Sequence, residues 1–114
     1  MDNTAQFISD LNVARFVDKL RLQRDPAIQT VLKRLLFEEE RKLGFSLEQL
    51  GKIDRHLAES RVRISAQKNL IERLRTNGRD TEPAEFLLSN LVGIQEIFER
   101  HRQIIVDSLN RNRL

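Results

Sequence analysis

The sequence lacks cysteine, tryptophan and tyrosine, and phenylalanine is its only aromatic residue type. Without cysteine the chain can form neither disulfides nor thiolate-ligated zinc, and catalysis by a thiolate is excluded. The shortage of aromatic residues argues against a large pocket, because such residues line most ligand sites. We therefore expect no cofactor and no small-molecule substrate.

Long apolar stretches are also absent. No segment approaches the roughly 20 consecutive apolar residues that a membrane-spanning helix needs. The first residues of the sequence have neither the basic region nor the apolar core of a signal peptide. The absence of cysteine fits a reducing compartment. These features predict a soluble, cytoplasmic protein that does not act at a membrane.

Charged residues are abundant, at 32% of the 114 residues, but the net charge is only +3. Residues 46–77 hold seven basic residues against four acidic ones. In a helix these bases point in several directions and do not form one row. Nucleic-acid binding through this helix is therefore an alternative that we do not favour over a solvated helix surface. The seven bases are Lys52, Arg55, Arg61, Arg63, Lys68, Arg73 and Arg75.

What the sequence does contain is a seven-residue repeat, largely apolar, with spacings of three and four. Its positions are Leu50, Ile53, Leu57, Ser60, Ile64, Gln67, Ile71 and Leu74. Residues at this spacing lie along one side of an α-helix and need a partner helix to cover them. After Asn77 and Gly78 the pattern resumes. Its second part is Leu87, Leu91, Ile94, Phe98, His101 and Ile105.

The two repeats predict a long, coiled-coil-like antiparallel hairpin of two helices over residues 46–114, with its turn at 77–81. Residues 11–43 predict a short helix pair, about 11–23 and 26–43, and residues 1–10 are expected to fray. We thus predict one all-α domain over residues 1–114, forming a helical bundle completed by dimerisation.

Residues that start and stop helices support this division. Asp25 can cap the second helix, whose first position suits Pro26. Ser46 begins a capping box, and Phe45 with Leu50 has the spacing of a hydrophobic staple.

Three further positions mark helix ends. Gly44 and Gly78 suit the left-handed position after a helix. Asp80 or Thr81 is expected to cap the fourth helix, in which Gly93 marks either a weak point or a close helix approach.

A hairpin folded at residue 79 pairs Leu57 with His101 and Ser60 with Phe98. The second helix is expected to lie along the base of the hairpin, where it can cover little more than half of the third helix. The turn end therefore keeps apolar residues with little cover, and such a patch usually marks an interface. The candidate oligomer interface is Leu70, Ile71, Leu74, Leu87, Leu88 and Leu91.

The histidines do not form a recognisable site. His56 and His101 lack the Glu-x-x-His spacing of helical di-metal proteins, so we predict no metal site. A phosphotransfer histidine at His56 is a lesser alternative, because Glu59 would repel an incoming aspartyl phosphate. The three glutamates at 38–40 are read as a solvated face, with Glu38 spaced to pair with Lys42. No catalytic residue is predicted, and the chain is not expected to be an enzyme.

Two stretches resemble small, uncharacterised proteobacterial helical-hairpin proteins. One runs from Asn12 to Phe16 and on to Glu40, and the other from Asp54 to Glu59 and on to Arg102. The most specific part is the Leu-Arg-x-x-Gly-x-Asp-Thr turn that begins at Leu74. The resemblance implies a bacterial helical hairpin and no activity. We predict a non-enzymatic protein interaction, regulatory or scaffold module that forms a homodimer, with any other protein partner unidentified.

Overall fold

The computed structural model describes residues 4–42 and 46–111, which form four helices and no strand. They are α1 (Thr4–Leu22), α2 (Pro26–Arg41), α3 (Leu47–Thr76) and α4 (Glu82–Arg111). The all-α class and the helical bundle are therefore confirmed. Within the described ranges, no helix is both long enough and apolar enough to cross a bilayer.

The predicted caps at the starts of α2 and α3 are present. Asp25 accepts a hydrogen bond from the amide of Ala27 at 2.9 Å. Ser46 accepts one from the amide of Gln49 at 3.2 Å. Each satisfies a backbone donor that the first turn of a helix leaves free. The predictions for Gly44 and for the Phe45–Leu50 staple lie outside the described residues.

The turn between the long helices also follows the sequence. Gly78 has a φ of 68°, a left-handed conformation that a residue with a Cβ adopts only with strain. Of the two candidate caps of α4, Asp80 accepts from the amide of Glu82 at 3.0 Å.

Helix α1 is longer than predicted. It begins at Thr4, so residues 4–10 are helical and the expectation that they fray is wrong. Part of the reason is visible on its buried side: Ser9 is buried, and Asp10 forms an ion pair with Lys52 of α3 at 3.0 Å.

Helix α4 is the centre of the bundle. It packs against α3 along their whole shared length and against both α1 and α2 elsewhere on its surface. The expectation that α2 covers α3 is wrong, because α2 packs on α1 and α4 and no Cα atom of α2 comes within 8 Å of the described part of α3. Close approach explains the interior glycine: a Cβ at Gly93 would lie 3.1 Å from Nζ of Lys33 on α2.

The α3–α4 interface buries the apolar repeats. Its register lies within one helical turn of the predicted one: Arg102 Nε donates to Asp54 at 2.6 Å, and the ring of Phe98 lies 5.1 Å from that of His56. Side chains from α1 and α2 extend the same core on the other side of α4. The buried apolar members include Val13, Val17, Leu20, Leu32, Leu36, Ile53, Leu57, Ile94, Phe98 and Ile105.

Candidate functional site

A buried acid and a buried base meet between α2 and α4. His101 and Glu40 are each only 2% exposed, and Nδ1 of His101 donates a hydrogen bond to Oε2 of Glu40. His101 Nε2 and Glu40 Oε1 have no hydrogen-bond partner in the described part of the chain. The interpretation of Glu38–Glu40 as a solvated face is thus wrong for two of its three residues, since Glu39 is buried as well.

Glu39 has a polar environment of its own. It accepts hydrogen bonds from Asn12 of α1 and from Lys42, both at 3.1 Å. Burial raises the pKa of Glu39, but these bonds and one from Ser9 outweigh it, so the net pKa lies below its usual value. Lys42 therefore pairs with Glu39 instead of Glu38, the partner that the sequence suggested.

A third buried polar residue fixes the turn between α1 and α2. The Nδ2 of Asn90 on α4 donates to the carbonyl oxygens of Arg21 and Gln23, at 3.0 and 3.2 Å. Its Oδ1 accepts from Gln29 at 3.1 Å. Asn90 thereby satisfies carbonyl groups that the end of α1 leaves free.

The main cavity lies between α1 and α3, whose described Cα atoms are nowhere within 8 Å of one another. Its volume is about 140 Å³, and it opens to solvent. The floor is apolar and comes from α1 and α4. The floor residues are Val13, Val17, Leu91, Ile94 and Phe98.

Charged side chains surround the opening of this cavity. Asp10 is paired with Lys52, and Asp18 lies 3.6 Å from Arg21. Other charged groups at the opening are Glu59 and Arg63, both exposed and both on α3. His56 also lines the cavity, and its Nδ1 is buried without a hydrogen-bond partner among the described residues.

The two histidines lie near the same level of the hairpin, as predicted, and both line a small cavity of about 10 Å³. In residues 4–42 and 46–111, no three histidine or carboxylate side chains are arranged to hold a metal ion. The burial of His56 Nδ1 and the contact of its ring with Phe98 disfavour phosphotransfer, since a phosphate acceptor needs an accessible nitrogen.

The residues of the candidate oligomer interface divide into two groups. Ile71 and Leu91 are already buried by the chain itself. The other four are half-buried, and we call them the turn-end patch. These are Leu70, Leu74, Leu87 and Leu88.

The basic residues of α3 also divide into two groups. Lys52 and Arg75 form ion pairs, Lys52 with Asp10 and Arg75 with Glu72 and Glu85. The other five are exposed and form no ion pair within the described ranges. They are Arg55, Arg61, Arg63, Lys68 and Arg73.

Sequence reasoning missed the Glu40–His101 pair although a signal was present. Glu40 follows Leu32 and Leu36 at intervals of four, which puts it on their buried side. His101 occupies a position of the second apolar repeat. An acid and a base on two apolar stripes favour a buried pair, since ionisable groups are rarely buried alone.

Comparison with known proteins adds no relative. No protein-family model matches the chain, no curated protein is detectably similar in sequence, and no solved structure is detectably similar in fold.

Proposed function

We propose that this chain is a non-enzymatic interaction module of the bacterial cytoplasm that acts as a homodimer joined through the turn-end patch. The observation that carries the proposal is the partial exposure of four leucines at one end of the hairpin. Two-fold association of equal patches is the commonest way to cover such a surface. Two hairpin ends side by side would form a four-helix bundle. Membership of the group that the sequence resembles is part of the proposal.

The packing of the helices explains why the patch is left at this end. Helix α3 packs on α4 alone, because α1 and α2 lie on α4. The turn between α1 and α2 reaches α4, where Arg24 lies 4.7 Å from the ring centre of Phe86. Leu70 and Leu74 of α3 gain no comparable cover and stay half-buried.

Light scattering on the purified chain tests the proposal. We expect the molar mass of two chains at micromolar concentration, and of one chain for Leu74→Glu, because a second copy would bury the new carboxylate unpaired. The matched control is Val62→Glu on the same helix, where Val62 is 69% exposed on the side away from α4. This variant should keep the mass of two chains. A single-chain mass for the unaltered protein would contradict the proposal.

Nucleic-acid association is the second candidate, and the five exposed, unpaired bases of α3 favour it. Binding of a short duplex should then weaken steeply with salt, since each phosphate contact releases counterions. Arg61→Gln together with Lys68→Gln should reduce the slope of log affinity against log salt by roughly two contacts. Fluorescence anisotropy without any saturable signal at low salt would eliminate this candidate.

A further inference from the structure

The cavity between α1 and α3 combines an apolar floor with two opposite charges at its opening. Glu59 and Arg63 are one helical turn apart, a spacing at which such residues commonly pair. Both line the cavity, yet neither forms an ion pair within the described ranges. The carboxylates contributed by α1 are each near a cation, Asp10 with Lys52 and Asp18 with Arg21.

The free charges at the opening are therefore one carboxylate and one guanidinium. A zwitterion carries the complementary pair, an ammonium group and a carboxylate. Charge-assisted hydrogen bonds from a guanidinium to a carboxylate are among the strongest in proteins, and an ammonium group donates equally well to a glutamate. Both ends of a small zwitterion can thus be bound by side chains of one helix.

The floor defines the rest of the ligand. At about 140 Å³ the cavity is close in volume to apolar cavities of about 150 Å³ that hold a benzene molecule. The floor residues Val13, Val17 and Phe98 are all buried, so a branched or aromatic side chain would leave water for an apolar surface that already exists.

From these two features we infer that the cavity binds a free α-amino acid with an apolar side chain, its ammonium group on Glu59 and its carboxylate on Arg63. This site is independent of the turn-end patch. It also revises the expectation from the scarce aromatic residues: a large pocket is not found among the described residues, but a small one is present.

Isothermal titration with L-leucine tests the inference. We expect saturable binding, and at least about tenfold weaker binding of 3-methylbutylamine, which lacks the carboxylate, and of 4-methylpentanoate, which lacks the amine. Glycine, which lacks the side chain, should not bind. Equal binding of all three leucine-like probes would overturn the zwitterion assignment, and no saturable binding of L-leucine at millimolar concentrations would overturn the site.

Variants locate the site. Glu59→Gln and Arg63→Gln should each weaken L-leucine binding at least about tenfold. Arg61→Gln, an equally exposed change of the same helix outside the cavity, should leave it unchanged. Ala14→Phe should abolish binding, because Ala14 is exposed on α1 and lines the cavity. Binding should persist in Leu74→Glu, so failure of the dimer and failure of the ligand site are distinguishable. Unchanged binding in both charge variants would overturn the inference.

Discussion

Helix α4 meets α3 on one side and the α1–α2 hairpin on another, and the two interfaces differ in chemistry. The interface with α3 consists of two apolar repeats, in which Ser60 and Gln67 are the small or polar exceptions. The interface with α1 and α2 is also apolar at its centre, but both its ends are polar. Asn90 bonds the turn between α1 and α2, and His101 bonds Glu40 at the last turn of α2.

The difference concerns how each interface sets its position. Apolar contacts are non-directional, so a repeat of period seven permits neighbouring registers that differ by one or two turns. Buried polar groups permit one position, because any shift leaves a donor or acceptor without a partner. We infer that the α3–α4 hairpin supplies burial, whereas Asn90 and the Glu40–His101 pair fix where the short hairpin docks.

The largest expected effect comes from separating Glu40 and His101. Glu40→Leu or His101→Leu alone leaves one polar group buried without its partner, and removal of one member of a buried pair costs about 3–5 kcal/mol. The double variant should lose much less than the sum, because two apolar side chains can replace a buried pair at little cost. Urea unfolding followed by circular dichroism measures all three free energies.

Gln67→Leu is the matched change on the α3 side. Gln67 is buried and donates to the carbonyl oxygen of Ala84 at 2.8 Å. Its loss should cost only about 1 kcal/mol, the net value of an ordinary hydrogen bond. Additive losses in the Glu40 and His101 double variant, or a larger loss in Gln67→Leu, would contradict the contrast between the two interfaces.

A smaller loss is expected at the other polar end. Asn90→Ala removes one acceptor from Gln29 and two donors to the carbonyl oxygens of Arg21 and Gln23, which should cost about 1–3 kcal/mol. Amide hydrogen exchange should increase mainly in α1 and α2, since their shared turn loses its attachment to α4. Ser89→Ala, at an exposed neighbouring position, is the control. Uniform faster exchange over α3 as well would show that Asn90 supports the whole bundle.

Much of the fold was predictable because period and punctuation are local properties. Three and four residue spacings predicted the long helices, and Ser46, Gly78 and Asp80 marked their ends. The docking of α2 was not predictable in the same way. Its apolar residues fit any apolar stripe, and its true partner surface depends on polar contacts between residues far apart in the sequence, such as Gln29 with Asn90.

The candidate sites were less predictable for a related reason. The cavity arises because α1 is held by α2 and α4 and stays apart from α3, a distance that no periodicity records. Of the six predicted interface residues, Ile71 and Leu91 are buried within the chain. Their burial depends on the register of the hairpin, whereas the partial exposure of Leu70 and Leu74 depends on where α1 ends. Dimerisation through them stays a prediction.

The smallest expected effect concerns Glu39, which joins α1 to the last turn of α2 near the Glu40–His101 pair. Because hydrogen bonds from Asn12, Lys42 and Ser9 outweigh the effect of burial, the folded pKa of Glu39 lies below its unfolded value. Its contribution to stability is then complete above the unfolded pKa and is lost as the pH falls through the folded pKa. Glu39→Gln should lower the free energy of unfolding at neutral pH, by less than Asn90→Ala does, and should reduce the slope of stability against pH on the acid side. Urea titrations from pH 7 to acid measure that slope, with Glu38→Gln as the exposed neighbouring control. An unchanged acid slope in Glu39→Gln would show that this attachment of α1 to α2 does not depend on the Glu39 charge.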